Sequence, residues 1–245
     1  MKVLKFGGSS LADAERYLTV KDISMACHQE SGAAVVLSAP KGVTNALSLL
    51  CDEAALGKDY GDLLAKLNMV LLGIVSELAD RLPGFKQAKL DDFISQTINE
   101  LNQNLEGFAL LNCAPESVVA KILSIGEYVS VNIFSEILTA LGQANSIIDP
   151  VKYILAEGDY LDSIADVAAS KARFTDVDSS GAVVLIMPGF VAVNEAGEKV
   201  TLGRNGSDYS AAILAACIDA QCCEIWTDVD GVYNADPNQV EGAVL

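Results

Sequence analysis

The chain has 245 residues, with 33 Asp and Glu against 16 Lys and Arg, so its net charge is −17 and its pI about 4.3. A chain this acidic repels nucleic acid and anionic membrane surfaces at long range. Apolar residues make up 51% of it, which excludes disorder, and at roughly 150 residues per domain the length suits one large domain or two small ones.

Counting excludes further classes. The lone histidine, His28, is the only base a Ser-His-Asp triad could use, and its setting in CHQESG suits a solvated side chain instead. Cys27, Cys51, Cys113, Cys217, Cys222 and Cys223 form no CxxC pair, so buried reduced thiols are expected and no zinc site. The longest mostly apolar stretch, 182–193, is broken at Pro188-Gly189 and falls short of the ~18 residues of a membrane span. Met1 leads straight into VLKF without a signal-like region, and a cytoplasmic location is expected.

In chain order, Val3 to Phe6 reads as a first strand and Leu11 to Gln29 as a helix, with Leu11, Tyr17, Leu18, Ile23 and Ala26 facing inward. Ala33 to Leu37 is a continuous apolar run of the kind buried on both faces, and Val43 to Ala55 is helical. From Tyr60 to about Gly142 the pattern is helical, broken at Pro83-Gly84 and at Cys113-Ala-Pro115. Ile147-Ile148 reads as a short strand and Ala182 to Met187 as another, which Phe190 to Val193 extends or pairs with. Ser207 to Asp219 is a helix, and Glu224 to Thr227 a strand. This alternation predicts a three-layer α/β/α sandwich on a mainly parallel central sheet.

After the last strand come the turn-rich DVDGVYNADPN and then EGAVL, with no closing helix. The mean hydropathy of +0.33 is high for a soluble domain. Both features are expected of a chain lacking a C-terminal portion, with apolar surface left open to self-association.

Several constellations carry chemistry. Lys5-Phe6-Gly7-Gly8-Ser9-Ser10 ends the first strand, where ligands of open α/β sheets gather. Its glycines let backbone N–H groups approach an anion, and Lys5 adds a point charge suited to phosphate. The motif is neither GxxxxGK[ST] nor GxGxxG, and an ordinary turn with Ser9 or Ser10 as helix cap is the plain alternative. Leu202-Gly203-Arg204-Asn205-Gly206-Ser207-Asp208 runs into the helix YSAAILAAC, an arrangement that suits an anion, with Arg204 able to grip a carboxylate or phosphate by two bonds. Its plain alternative is capping by Ser207 or Asp208.

Trp226-Thr227-Asp228-Val229-Asp230-Gly231-Val232-Tyr233 fails as an EF-hand, because the sixth position from Asp228 is Tyr233 rather than Gly. As a nucleotide site it offers a hydroxyl, carboxylates and a ring; taken alone, an Asp-Gly turn is the better reading. Ser38-Ala-Pro-Lys-Gly-Val-Thr44-Asn45 leaves the second strand with more donors, and Glu127 interrupts an apolar helix, where a solvated face is its plain reading. These segments are expected to share one rim of the sheet.

The stretches KFGGSS, LSAPKGVTN, SIGEYVS, LGRNGSDYSAA and WTDVDGVYNADP closely resemble the aspartate kinases of the amino-acid kinase superfamily, in the family's order and over the whole chain. The run from RNGSDYSAAILAAC to CCEIWTDVDGVY resembles in particular the kinase portion of bifunctional aspartokinase–homoserine dehydrogenases. The resemblance implies transfer of the ATP γ-phosphoryl group to the side-chain carboxylate of L-aspartate, giving 4-phospho-L-aspartate, the first step toward threonine, methionine and lysine. It implies that Lys5 steadies the migrating phosphoryl group and Asp208 organises that lysine. Thr44, Glu127, Arg204 and Ser207 match aspartate-binding positions. Gly7, Gly8 and Ser9 would line the phosphates, and Thr227, Asp228 and Tyr233 the nucleotide, with Mg²⁺ bridging phosphates.

The chain departs from the family where Ser9 replaces a common Thr and where Asn238 replaces a nucleotide-contacting Arg. Residues 1–245 are expected to form one truncated kinase domain of a larger homo-oligomeric enzyme, without regulatory ACT-type and dehydrogenase domains and with reduced activity of its own. Two other readings stand beside this one. One is a related kinase acting on carbamate, glutamate or a nucleoside monophosphate; the other is a non-catalytic module that binds aspartate or self-associates.

Overall fold

The computed structural model describes residues 1–227. The chain opens with β1 (Lys2–Phe6), a 3-10 turn over Gly8–Leu11, α1 (Ala14–Ser31) and β2 (Ala33–Leu37). Helices α2 (Val43–Ala55), α3 (Gly61–Arg81), α4 (Gln87–Leu111), α5 (Glu116–Leu123) and α6 (Ile125–Ala140) follow. Next come β3 (Asn145–Ile147), α7 (Pro150–Tyr153), β4 (Ala156–Asp159), β5 (Asp162–Ala165) and α8 (Val167–Arg173). The last elements are β6 (Val184–Pro188), β7 (Val191–Val193), β8 (Lys199–Thr201), α9 (Gly206–Cys217) and β9 (Cys223–Trp226).

The central sheet has the order β3-β6-β2-β1-β9, and every pairing in it is parallel. All five residues of β2 are buried, as a strand covered on both faces requires. Side-chain alternation then assigns the two cores. Leu4, Phe6, Val35 and Leu37 pack with Tyr17, Leu47 and Phe134 beneath the helices α1 to α6. Val3, Ala34, Val36 and Met187 pack on the other face with Ile213 and Leu214 of α9. Truncating one such fully buried leucine, Leu4→Ala for example, is worth roughly 2–5 kcal/mol. The same period of two puts Lys5 on the α9 face with Val3, which decides its partner below. The three layers are those expected.

Several local expectations are corrected. Helix α1 begins at Ala14, because the Asp13 side chain accepts the Arg16 N–H at 2.9 Å; Asp13, rather than Ser9 or Ser10, is the cap. Ala26 lies on the exposed face of α1. Strand β3 starts earlier than Ile147, where the Asn145 side chain is tied to Ser135 and Thr139 of α6. Segment 191–193 does not extend β6. Past Pro188-Gly189 it forms an antiparallel hairpin with β8 instead. That strand and the β4–β5 hairpin are three or four residues long, too short for periodicity to disclose.

Helix pair α5–α6, Glu116–Ala140, is long and apolar enough by composition to cross a membrane, which the reading of 182–193 overlooked. Within the fold 56% of its most apolar window is buried, as for a core helix. All six thiols are free, but only Cys51 and Cys217 are buried. Cys113 lies in the loop after α4, and Cys222 and Cys223 lie at the exposed strand β9, so burial does not extend to them. His28 is half-buried against the Gln143 amide at 3.1 Å rather than solvated.

Candidate active site

A cavity of about 560 Å³ opens where the β1, β2 and β8 connections converge. Its floor is Lys5, whose ammonium pairs with Asp208 Oδ1 at 2.6 Å across the gap to α9. Lys5 is nearly buried and Asp208 is half-exposed, so the lysine's charge is fixed while the carboxylate still meets solvent. The side chain runs under Gly7, where a Cβ would stand 3.4 Å from the ammonium. Gly8 turns past the β2–α2 loop so closely that a Cβ would meet the Ala39 carbonyl at 2.9 Å. That bare backbone and Ser9 line one wall.

The opposite wall is the first turn of α9. Asn205 precedes it with φ 57° and caps it with no side-chain bond, so the positive end of the helix faces the cavity. Ser207 and Arg204 stand there, and Arg204 makes no salt bridge among the described residues. Neither Ser207 nor Asp208 is the cap, which removes the plain reading of that motif.

The third wall is α6. A Cβ on Gly126 would lie 2.4 Å from Ala39 Cβ and 2.9 Å from Val43, so only glycine lets α6 sit this close to the β2–α2 loop. That approach carries Glu127 into the cavity, where it is 3% exposed and its Oε2 has no hydrogen-bond partner. Burial pushes its carboxyl up to about 8, against the opposing pull of backbone N–H groups at Glu127 and Ala39. A solvated face was the plain expectation; the structure overturns it. Thr44, at the start of α2, completes this side.

The structure thus gathers Lys5, Gly8, Ser9, Thr44, Glu127, Arg204, Ser207 and Asp208 in one cavity, with Gly7 directly behind it. Thr227 is not among them. It lines a neighbouring cavity of about 520 Å³ with Ser10, Asp13, Arg16 and Trp226, on the other side of the β1 turn. Trp226 stacks on Phe6 there, with ring centroids 6.1 Å apart. Asp228 and Tyr233, expected on the nucleotide side, lie outside the described residues, as does Asn238. The rim is also less uniform than expected, since 203–208 follows the β7–β8 hairpin rather than a strand of the central sheet.

Phe190 also lines the cavity and was not among the expected site residues, whereas Lys41 enters it within the 38–45 segment already singled out. Phe190 has φ 71°, held by its N–H donating to Ser210 Oγ at 2.8 Å and its carbonyl accepting the Leu202 N–H at 2.8 Å. Such strain in a non-glycine residue often accompanies a binding site. The Pro188-Gly189 break just before it was the available signal. Among the described residues no three metal-ligating side chains cluster.

The amino acid kinase family matches residues 1–245. The chain is 40% identical over its whole length to a bifunctional aspartokinase/homoserine dehydrogenase of Buchnera aphidicola, covering 30% of that protein. It is 31% identical to the lysine-sensitive aspartokinase 3 of Escherichia coli, covering 52% of it. It superposes on E. coli aspartokinase III in complex with aspartate and ADP at a TM-score of 0.86 and 29% identity, over 99% of this chain and 52% of that one. The chain therefore spans from about a third to a half of the relatives it matches. With a parallel sheet flanked on both faces and one cavity uniting its glycine-rich loops, the chain belongs to the amino acid kinase family.

Proposed function

We propose that this chain binds L-aspartate and ATP and carries the phosphotransfer chemistry of an aspartate kinase. The observation that carries the reading is the charge layout of one cavity, in which an unpaired Arg204 and a buried Glu127 without a cation face a fixed Lys5. L-Aspartate bears two carboxylates and an ammonium. Arg204 can hold one carboxylate with two parallel bonds, and the ammonium supplies the cation that Glu127 lacks. Thr44 and Ser207 add hydroxyl contacts. The second carboxylate is then directed toward Lys5.

Phosphoryl transfer asks little covalent help of a protein and much positioning and charge stabilisation. Lys5 supplies positive charge where the transferred group would pass, and Asp208 keeps that ammonium in place. The Gly8 and Ser9 backbone and the α9 terminus suit the phosphates of ATP. Mg²⁺ would neutralise phosphate charge when bound, with Asp208 as the carboxylate at hand. Support also comes from the solved relative, whose complex contains aspartate and ADP.

The test is a hydroxamate assay with ATP, Mg²⁺ and aspartate, run beside glutamate, carbamate and nucleoside monophosphates. Aspartate-dependent hydroxamate is expected. Turnover confined to another acceptor would assign a different member of the family. Calorimetric binding of aspartate without turnover in a C-terminally extended chain would favour the non-catalytic module.

A further inference from the structure

Back to back with the aspartate cavity, across the first turn of α6, lies a separate cavity of about 380 Å³. Glu127 faces the first cavity, and Ser124 and Tyr128 face the second. Phe93 and Leu101 of α4, with Ile122 and Ile125 at the α5–α6 junction, give it apolar lining beside the polar Thr97 and Asn104. Lys121 and Lys199, close enough for their like charges to act on one another, also line it.

Lys199 is the informative residue. Its ammonium lies 4.1 Å from the Tyr128 ring centroid and donates to Ser124 Oγ at 3.3 Å, yet it forms no ion pair among the described residues. The carboxylate that acts on it, Asp149, is already engaged by the Tyr128 hydroxyl at 2.7 Å and by the Val151 N–H at 3.2 Å. Glu100, also at this cavity, is exposed on α4, where solvent screens it. Desolvation holds the Lys199 pKa below the usual lysine value; Asp149 opposes that and the like charge of Lys121 adds to it. A half-buried cation beside a second cation, with a free face toward a cavity, is what a bound anion would relieve.

We propose that this cavity is a second binding site, for a small organic carboxylate with an apolar body. The carboxylate would meet Lys199, Lys121 and the Ser124 hydroxyl, and its body would lie against Phe93, Leu101 and Ile122. The volume falls in the lower range of small-molecule sites. The apolar side chains in the lining distinguish this ligand class from a bare inorganic anion.

The test is ligand-detected NMR titration of the chain with phenylacetate at pH 7, alongside 2-phenylethylamine and inorganic phosphate. Phenylacetate is expected to bind saturably, and neither the amine nor phosphate to displace it at matched concentration. Lys199→Met, which keeps the apolar stem, should weaken phenylacetate binding about tenfold. Lys121→Ala, at an exposed position where folding is not at stake, should weaken it several-fold. Arg204→Ala removes one of the two cations of the other cavity that are unpaired among the described residues, Lys41 being the second, and should leave this binding unchanged. That arm separates failure here from failure of the aspartate reading. Wild-type affinity in both lysine variants, loss of binding in Arg204→Ala, equal binding of the amine, displacement by phosphate, or no saturable binding would each overturn the proposal.

Discussion

The α9 wall and the α6 wall of the cavity around Lys5 each present one carboxylate, and the two are solved differently. Asp208 on α9 is half-exposed and already paired with Lys5 at 2.6 Å. Glu127 on α6 is buried, lacks a cation and is pushed up to about 8. The first carboxylate belongs to the protein's own machinery and holds a charge ready. The second is left unfinished until something brings it a positive charge. In the proposed reading, burial without a cation belongs to the substrate side and the internal ion pair to the reacting side.

The largest expected effect tests the reacting side. In an active, C-terminally extended form, Lys5→Ala should lower kcat by about 10²–10³-fold, or roughly 3–4 kcal/mol, while the KM for aspartate moves little. Steady-state kinetics check this, and near wild-type kcat would remove Lys5 from the chemistry. Asp208→Asn should follow in the same direction with a smaller loss, since it loosens the ammonium without removing it.

The substrate side should respond in the other constant. Glu127→Gln keeps the shape but cannot pair with an ammonium, and breaking such a buried pair is worth about 2–5 kcal/mol. The aspartate KM should rise by roughly 30-fold or more with the ATP constant unchanged. A shift in the ATP constant alone would exchange the roles of the two walls.

Much of this contrast was legible in the sequence, and the reason is local. Lys5 and Gly8 sit in a loop defined by one strand end, and Arg204, Ser207 and Asp208 in another defined by one helix start, so spacing alone brings each set together. Glu127 was legible only as an oddity. Its burial depends on Gly126 meeting Ala39, a contact between residues far apart in sequence that no periodicity encodes. Phe190 was missed for a similar reason, because its backbone is held by Ser210 and Leu202 from other elements. Short strands such as β7 and β8 exist through their pairing rather than through any pattern of their own.

Arg204 sharpens the comparison from the exposed rim. Arg204→Ala should raise the aspartate KM about tenfold, in keeping with roughly 1.5 kcal/mol for a charge-assisted bond at an accessible position. Arg204→Lys should recover only part of this, because an ammonium cannot reproduce the two-pronged guanidinium geometry. Full recovery by lysine would show that charge alone suffices there.

The smallest effect needs no substrate. Glu127 has a raised pKa in the folded chain, about 8 against an ordinary 4.5, so the folded state holds a proton that the unfolded state gives up. Relative to an unperturbed glutamate, the stability from keeping that proton is fully present below pH 4.5 and is lost as pH rises toward 8. Glu127→Gln removes the titration, so its melting temperature should gain on wild type as pH is raised from 5 to 8. Because the cavity is open and water can enter it on fluctuation, the gain is on the order of 1 kcal/mol, or roughly 2–4 °C for a chain of this size. Scanning calorimetry on both proteins at several pH values measures it directly. Saturating aspartate should reverse the difference, because binding roughly 30-fold tighter favours wild type by about 2 kcal/mol. A pH-independent gap between the two melting curves would mean that Glu127 is already satisfied in the empty protein, and the contrast between the walls would fail.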